Sequence, residues 1–468
     1  MKKIKKFTSV ILVLIILTGT LNSGCLKRKK PVQQVIDISE KTLTFYGLYD
    51  NSDIYDPIIQ SFESSHPGTT IVYRKFVDPD EYLDLIINEL AEGEGPDIFL
   101  MHNTWFPKHY KKLTPAPVNI VTPDVFRDLF VEITANDLII PDPDGVEQVW
   151  GLPMYVDTLA LYFNKDHYED AIPSRGKPAS TWEGVQNDVT LLNKEDKSFE
   201  RFERAAIALG RDDNILRTFD TFMMLLLQYK VDFYNEDLTK VNFDKDPNAL
   251  KALELLTSFS LPSKKNYSWN KYLSDANSAE KEITTFAKGK VSTILGYSYT
   301  YNDIITEINR LKSLGEGTID IDSVRINEIP QVFDPETSAE TREAYASYFV
   351  PSVSRTSEYP DLAWEFLATL VQNENLTYFN EKTHRPSASR SLISTQSADP
   401  IYGVFASQVG YAASIPMIDT DVYKEIVDSG IEDILNTKSP ENVVKTMARD
   451  IQSLIPSAGV KPVYVPTE

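Results

Sequence analysis

The stretch KTLTFYGLYDNSDIYDPIIQSFESSHPGTTIVYRKFVDPDEYLDLIINELAEGEGPDIFLM, residues 41–101, decides the fold class. Thr42–Tyr46 alternates and is rich in β-formers, which predicts a strand. Pro57–Ser64 carries apolar residues at helical spacing, with Asp56 expected as N-cap and Pro57 at the first helical position. Ile71–Phe76 predicts a second strand. Pro79–Leu90 repeats Leu83, Ile86, Ile87 and Leu90 on one helical face before Gly93 and Gly95 stop it. Asp97–Met101 is then a short apolar strand. A βαβαβ order implies a parallel sheet whose ligands meet the carboxyl ends of its strands.

The same alternation continues outward. Asp144-Gly145 signals a tight turn before the strand Val146–Trp150, and Thr158–Phe163 predicts another strand. From Ser198 to Phe259 the pattern reads as mostly helical, with Phe222–Tyr229 apolar almost all round and so expected to be buried. Strand signals return at Val291–Leu295 and Tyr345–Val350. Helices are expected at Asp361–Gln372, Val422–Asn436 and Pro440–Ile455. Two α/β lobes account for strands on both sides of a helical middle better than one.

The chain has 468 residues, 42% of them hydrophobic, the profile of a globular protein with ample core. With 47 Lys and Arg against 68 Asp and Glu, its formal charge of −21 would repel nucleic acid. A single Cys excludes a disulfide scaffold, a Cys-rich zinc site and an iron–sulfur cluster.

Lys2, Lys3, Lys5 and Lys6 precede the apolar run Val10–Leu17, and small residues end at Ser23-Gly24-Cys25, the layout of a secretory signal over residues 1–24. Even extended from Phe7 to Leu21, the apolar part falls short of the roughly 20 residues of a spanning helix. The only Cys, Cys25, follows Ser23-Gly24 and resembles a bacterial lipobox, although Asn22 stands where that pattern prefers Leu. Lipidated Cys25 beside Lys27, Arg28, Lys29 and Lys30 would anchor the chain to an anionic membrane surface through a tether over residues 25–40. Localisation at the extracytoplasmic face of the cell membrane follows.

Signatures of catalysis are scarce. There is no His-Glu-x-x-His, no Gly-x-Ser-x-Gly and no P-loop. The five His are scattered, and His102 and His109 are separated by Trp105 and Pro107. Asp142 and Asp144 read as a turn better than as a calcium loop. Neither a metal, a cofactor nor an enzymatic activity is expected.

Five blocks in order resemble the family 1 extracellular solute-binding proteins, the ligand-capturing subunits of ABC importers, and their carbohydrate-binding branch in particular. The first is Leu43-Thr-Phe-Tyr-Gly47 with Phe62-Glu-Ser-Ser-His-Pro-Gly68, and the second Ala91-Glu-Gly-Glu-Gly-Pro-Asp-Ile98. Trp150-Gly-Leu-Pro153, Leu161-Tyr-Phe-Asn-Lys-Asp166 and Ser180-Thr-Trp-Glu183 form the third. Phe286-Ala-Lys-Gly-Lys290 through Gly296 is the fourth, and Ala363-Trp-Glu-Phe-Leu367 with Arg385-Pro-Ser387 the fifth. The resemblance implies a type II periplasmic-binding-protein fold, with lobe one at 41–155 and 343–395 and lobe two at 156–342 and 396–460. It implies a ligand cleft between hinged lobes and delivery to ABC permease subunits.

A sugar wants flat aromatic faces beside side chains that exchange pairs of hydrogen bonds. His102, Asn103 and Trp105 lie after the strand Asp97–Met101, with Asn103 and Thr104 replacing charges usual in the family. Tyr155 is expected to stack and Asp157 to accept hydroxyls. Tyr297, Tyr299 and Tyr301 share one side if that segment is extended, as a ligand surface or as a half-buried strand face. Tyr49 and Asp50 follow the first strand. Trp182 and Trp364 match family positions that are core. Other readings are a same-fold receptor for a polyamine, amino sugar or metal chelate, which Asp50, Asp53 and Asp157 would suit, and a surface glycoside hydrolase.

Overall fold

A computed structural model describes residues 40–142, 144–195, 202–333 and 342–462. The signal segment, Cys25, the basic cluster and the tether up to Ser39 lie outside the described residues. From Glu40 on, the chain is one compact unit.

Strands β1 (Lys41–Leu48), β2 (Thr69–Phe76) and β3 (Ile98–His102) form the parallel core of the first sheet, with β1 in the middle. The helix Ser52–Ser65 begins upstream of the expected Asp56 cap, with Asn51 in the N-cap place and Pro57 inside it. Pro57 has no N–H to give the Asp53 carbonyl, and the Tyr378 hydroxyl donates to that carbonyl instead at 3.3 Å. The helix Pro79–Ala91 is capped by Asp78, which accepts from the Asp80 and Glu81 amides. Its buried Tyr82 hydroxyl donates to the Tyr46 carbonyl at 3.0 Å and accepts from the Leu100 amide at 2.7 Å, tying the helix to β1 and β3.

The hairpin β4 (Ile139–Pro141) and β5 (Glu147–Val149) closes through Asp142, which accepts from the Asp144 and Val146 amides. Strand β6 (Asp157–Thr158) then leads into β7 (Ala160–Asn164), which is buried throughout. The second sheet adds β8 (Lys194–Glu195), β9 (Phe202–Ile207), β10 (Val291–Gly296) and β11 (Val324–Asn327), in the order β11-β7-β10-β9-β8. Alternate residues of β7 serve different cores: Leu161 and Phe163 pack on one, Ala160 and Tyr162 on the other. These are the two faces of the sheet.

The strand β9 corrects the helical expectation for its segment. Phe-Glu-Arg-Ala-Ala-Ile favours helix by propensity, but the parallel edge of β10 offers its backbone partners and the small Ala205 and Ala206 fit both cores. The run Phe222–Gln228 lies, as expected, in a largely buried helix, Thr218–Gln228, with Tyr229 just past its end.

Strand β12 (Ala344–Ser347) pairs antiparallel with β6 and parallel with β14 (Ala412–Ala413), and continues into β13 (Phe349–Val353), which adds to β3. Core membership changes along these connections. Val156 packs in the first core and Leu159 in the second, while Ala344 and Tyr345 pack in the second and Ala346 in the first. The β6–β12 pair is therefore the hinge ribbon between two lobes, the architecture of a type II periplasmic-binding-protein fold. Trp364 is fully buried in the first core and Trp182, 2% exposed, in the second, where its indole N–H donates to Gln228.

Candidate functional site

The carboxyl ends of β1 and β3 carry an aromatic shelf on the first lobe. Phe349, facing His102 in the β13–β3 ladder, meets three rings edge-on: His102 at 4.9 Å, Trp105 at 5.7 Å and Tyr49 at 6.0 Å between centroids. Edge-to-face packing against Phe349 orients the Tyr49 and Trp105 rings. Tyr49 is 44% exposed and takes a left-handed backbone, φ 69°, that turns the chain off the end of β1. His102 is held by Thr104 Oγ1 at 2.7 Å and Ser347 Oγ at 3.0 Å, and burial pushes it down to about 4, so the ring is neutral in neutral solution.

The second lobe presents Arg217, the residue before the helix Thr218–Gln228. Its guanidinium lies 5.2 Å from the Tyr297 ring centre and 5.5 Å from that of Tyr299, whose hydroxyl it also bonds. The two Tyr rings stack at 5.9 Å, 25° apart. Burial opposes the charge of Arg217, but Tyr299, Asp220 and Tyr297 more than offset it. Across the cleft, burial raises the Tyr49 phenol and the charge of Arg217 lowers it, so shelf and arm share one field.

Lobe-to-lobe bonds rim this space. Lys108 pairs with Asp419, the N-cap of the helix Thr420–Leu435, and the Thr420 hydroxyl donates to Thr104 Oγ1 at 2.7 Å. Behind the shelf, Asp137 accepts from Asn103 Nδ2, the Tyr348 hydroxyl and Ser414 Oγ at 3.1, 2.8 and 2.7 Å. Burial raises the carboxyl of Asp137 despite those bonds and the nearby Lys461.

Tyr49, His102, Trp105 and Tyr299 are thus brought to one cleft, whereas Tyr297, expected as a ligand contact, is 2% exposed and packs in the second core beneath Tyr299. Five other expected contacts stand differently. Both carboxylate oxygens of Asp50 are taken by Arg385, at 2.7 and 2.9 Å, with Tyr55 adding a donor at 3.2 Å. Asn103 spends its amide on Asp137 and on the Tyr348 backbone. Tyr155 is 8% exposed, with the Arg385 guanidinium 4.8 Å from its ring centre and its hydroxyl accepting from the Phe349 amide at 3.1 Å. Asp157, 2% exposed, accepts from the Ser298 amide, from Ser298 Oγ at 2.6 Å and from its neighbour Thr158. It holds the turn that carries Tyr297 and Tyr299. Tyr301 lies inside the helix Thr300–Ser313, against Tyr402, because the segment leaves its strand at Gly296 rather than staying extended.

Sequence reasoning missed Arg217 and Phe349. Phe349 lies in an apolar strand and reads as core. Arg217 had a signal in principle, a lone cation directly before an apolar helix, but its Tyr partners lie 80 or more positions away. Among the described residues no group of three or more His, Cys, Asp or Glu is arranged to hold a metal ion.

The model of the bacterial extracellular solute-binding protein family matches residues 49–376. A binding protein of Brucella abortus (strain 2308) is 22% identical over 266 residues, 55% of this chain, and the chain spans 57% of that relative's length. Among solved structures, the sugar-binding protein MalE from Xanthomonas citri aligns with a TM-score of 0.70 at 16% identity, over 88% of this chain and 97% of that one. An ABC substrate-binding protein from Listeria monocytogenes in complex with cycloalternan aligns with a TM-score of 0.65 at 15% identity, over 89% of this chain and 99% of that one. At these identities the structural likeness speaks for the fold, and the family match covers most of both lobes: the chain belongs to the bacterial extracellular solute-binding protein family.

Proposed function

We propose that the protein captures a sugar or oligosaccharide between its lobes and delivers it to the permease subunits of an ABC importer, binding without catalysis. The observation that carries the reading is the aromatic shelf of Tyr49, Trp105 and Phe349 facing the Arg217–Tyr299 arm. Aromatic faces suit the C–H faces of a sugar ring, and a guanidinium and a phenol suit its hydroxyls. The solved relatives named above, one of them in complex with cycloalternan, support the same class of ligand.

Lobe one would take 41–155 and 343–395 and lobe two 156–342 and 396–460, a division supported by the change of core at the hinge ribbon. Residues 1–24 would be removed and Cys25 lipidated, holding the receptor at the extracytoplasmic face. Cys25→Ser should then release it from membranes, and persistent membrane fractionation would refute the anchor.

A thermal-shift screen of the chain from Pro31 onward, against oligosaccharides, polyamines and metal chelates, tests the ligand class. A ligand bound only by the folded state adds about RT ln(1 + [L]/Kd), roughly 2.7 kcal/mol at a hundredfold excess over Kd. Stabilisation by one glycan class supports the proposal. Stabilisation by cations alone, or cleavage of a glycan, overturns it.

A further inference from the structure

Arg217 needs a fixed backbone to hold its guanidinium over two Tyr rings, and that backbone is pinned by residues outside the cleft. Asn214, fully buried, accepts from the Trp269 indole at 2.9 Å and donates to the Asn270 carbonyl at 3.1 Å. Leu216, immediately before Arg217, donates its amide to Glu282, whose two carboxylate oxygens both lie 3.0 Å away. Glu282 is 1% exposed, in the first turn of the helix Lys281–Ala287. It makes no ion pair among the described residues.

A buried carboxylate without a paired cation is costly, and a side chain that only filled this space would be better apolar. What Glu282 provides is an acceptor for the Leu216 amide and a negative charge near the Arg217 guanidinium. We propose that Glu282 is a positioning residue, holding Arg217 in its ligand-facing pose only while its carboxylate is charged, so that solute capture is tuned by pH. This rests on the reading of the Arg217–Tyr299 arm as part of the ligand cleft.

Burial raises the Glu282 carboxyl to about 7, against its own and the Leu216 amide and the charges of Arg217 and Lys281. Other charges around it are Asp220 and Asp303, which share Arg217, Glu280, which acts on Asp303, and Glu307, bonded to Thr284 of the Glu282 helix and paired with Arg310. Below neutrality Glu282 takes a proton. The charge-assisted bond to Leu216 becomes a neutral one, roughly half as strong, and Arg217 loses a nearby counter-charge. Acid therefore loosens the arm, and base sets it.

Glu282→Gln keeps the shape and an acceptor oxygen but can never carry the charge, so it mimics the acid form at every pH. The first readout needs no ligand: amide exchange across residues 214–217, corrected for intrinsic rates, at pH 5.5 and pH 8. The wild-type chain is expected to be about three- to tenfold better protected at pH 8 than at pH 5.5, with Glu282→Gln at the acid level at both. The second is binding of maltotriose, with the same pattern expected in Kd.

A variant as protected as wild type at pH 8, or one that keeps the full pH dependence, overturns the role of Glu282. Exchange that follows the expected pattern while maltotriose fails to bind either protein leaves that role intact and counts against a maltodextrin ligand. Exchange as expected with maltotriose affinity independent of pH removes Arg217 from the ligand contact and so overturns the proposal.

Discussion

Asp50→Ala separates a structural strut from a ligand contact. In the folded chain the Asp50 side chain is 8% exposed and that of Arg385 13%, and the two meet through paired bonds of 2.7 and 2.9 Å. Removing the carboxylate leaves a guanidinium buried against Tyr155 without its counter-ion, which costs about 3–5 kcal/mol of folding stability. Asp50→Asn, which keeps one acceptor, should cost less. Removing both charges in Asp50→Leu/Arg385→Met should recover most of the loss, because replacing a buried pair by apolar groups of similar volume is near neutral. Guanidinium unfolding followed by near-ultraviolet circular dichroism measures each of these proteins, and the single variants Asp50→Leu and Arg385→Met complete the double-mutant cycle that isolates the pair. If Asp50→Ala lost less than about 1 kcal/mol, the scale of an exposed pair, while glycan affinity collapsed, Asp50 would be a ligand acceptor and the strut would be refuted.

Three further outcomes are expected. Trp105→Ala should weaken glycan binding by about 1–3 kcal/mol in titration calorimetry, the scale of losing an aromatic contact, and an unchanged Kd removes Trp105 from the site. Gly47→Ala should destabilise by about 1–3 kcal/mol, because its Cβ would come within 2.1 Å of the Tyr73 hydroxyl that donates to the Asp50 carbonyl; an unshifted melting temperature refutes this close approach. Burial raises Asp157 to about 6 despite its bonds to Ser298, so its contribution to stability is present below the ordinary carboxylate range and is lost as pH rises through about 6. Asp157→Asn should flatten melting temperature against pH between about 4 and 6, and an unflattened curve would show that Asp157 does not titrate there.

Much of the fold is legible in the chain because strands and helices write their buried faces locally. The alternation at Thr42–Tyr46 and the helical spacing of Leu83, Ile86, Ile87 and Leu90 report period, and period names the element. The segments that misled are those where a distant partner overrides local preference. Phe202–Ile207 is drawn into a strand by the edge of β10, and the helix at Ser52 runs through Pro57 because Tyr378 satisfies the carbonyl that Pro57 cannot.

The candidate site divides along the same line. That aromatics would gather where β1 and β3 end follows from a parallel sheet and the residues after each strand, so the placement of Tyr49, His102 and Trp105 there is legible in the sequence. Which polar groups remain free is a different question. Asp50 meets Arg385 across 335 positions, Asp157 meets Ser298 across 141, and Arg217 meets Tyr299 across 82. A carboxylate carries the same local signature whether it faces solute or an internal guanidinium. Only the folded chain brings its partner within hydrogen-bond reach, and burial then makes that pairing obligatory.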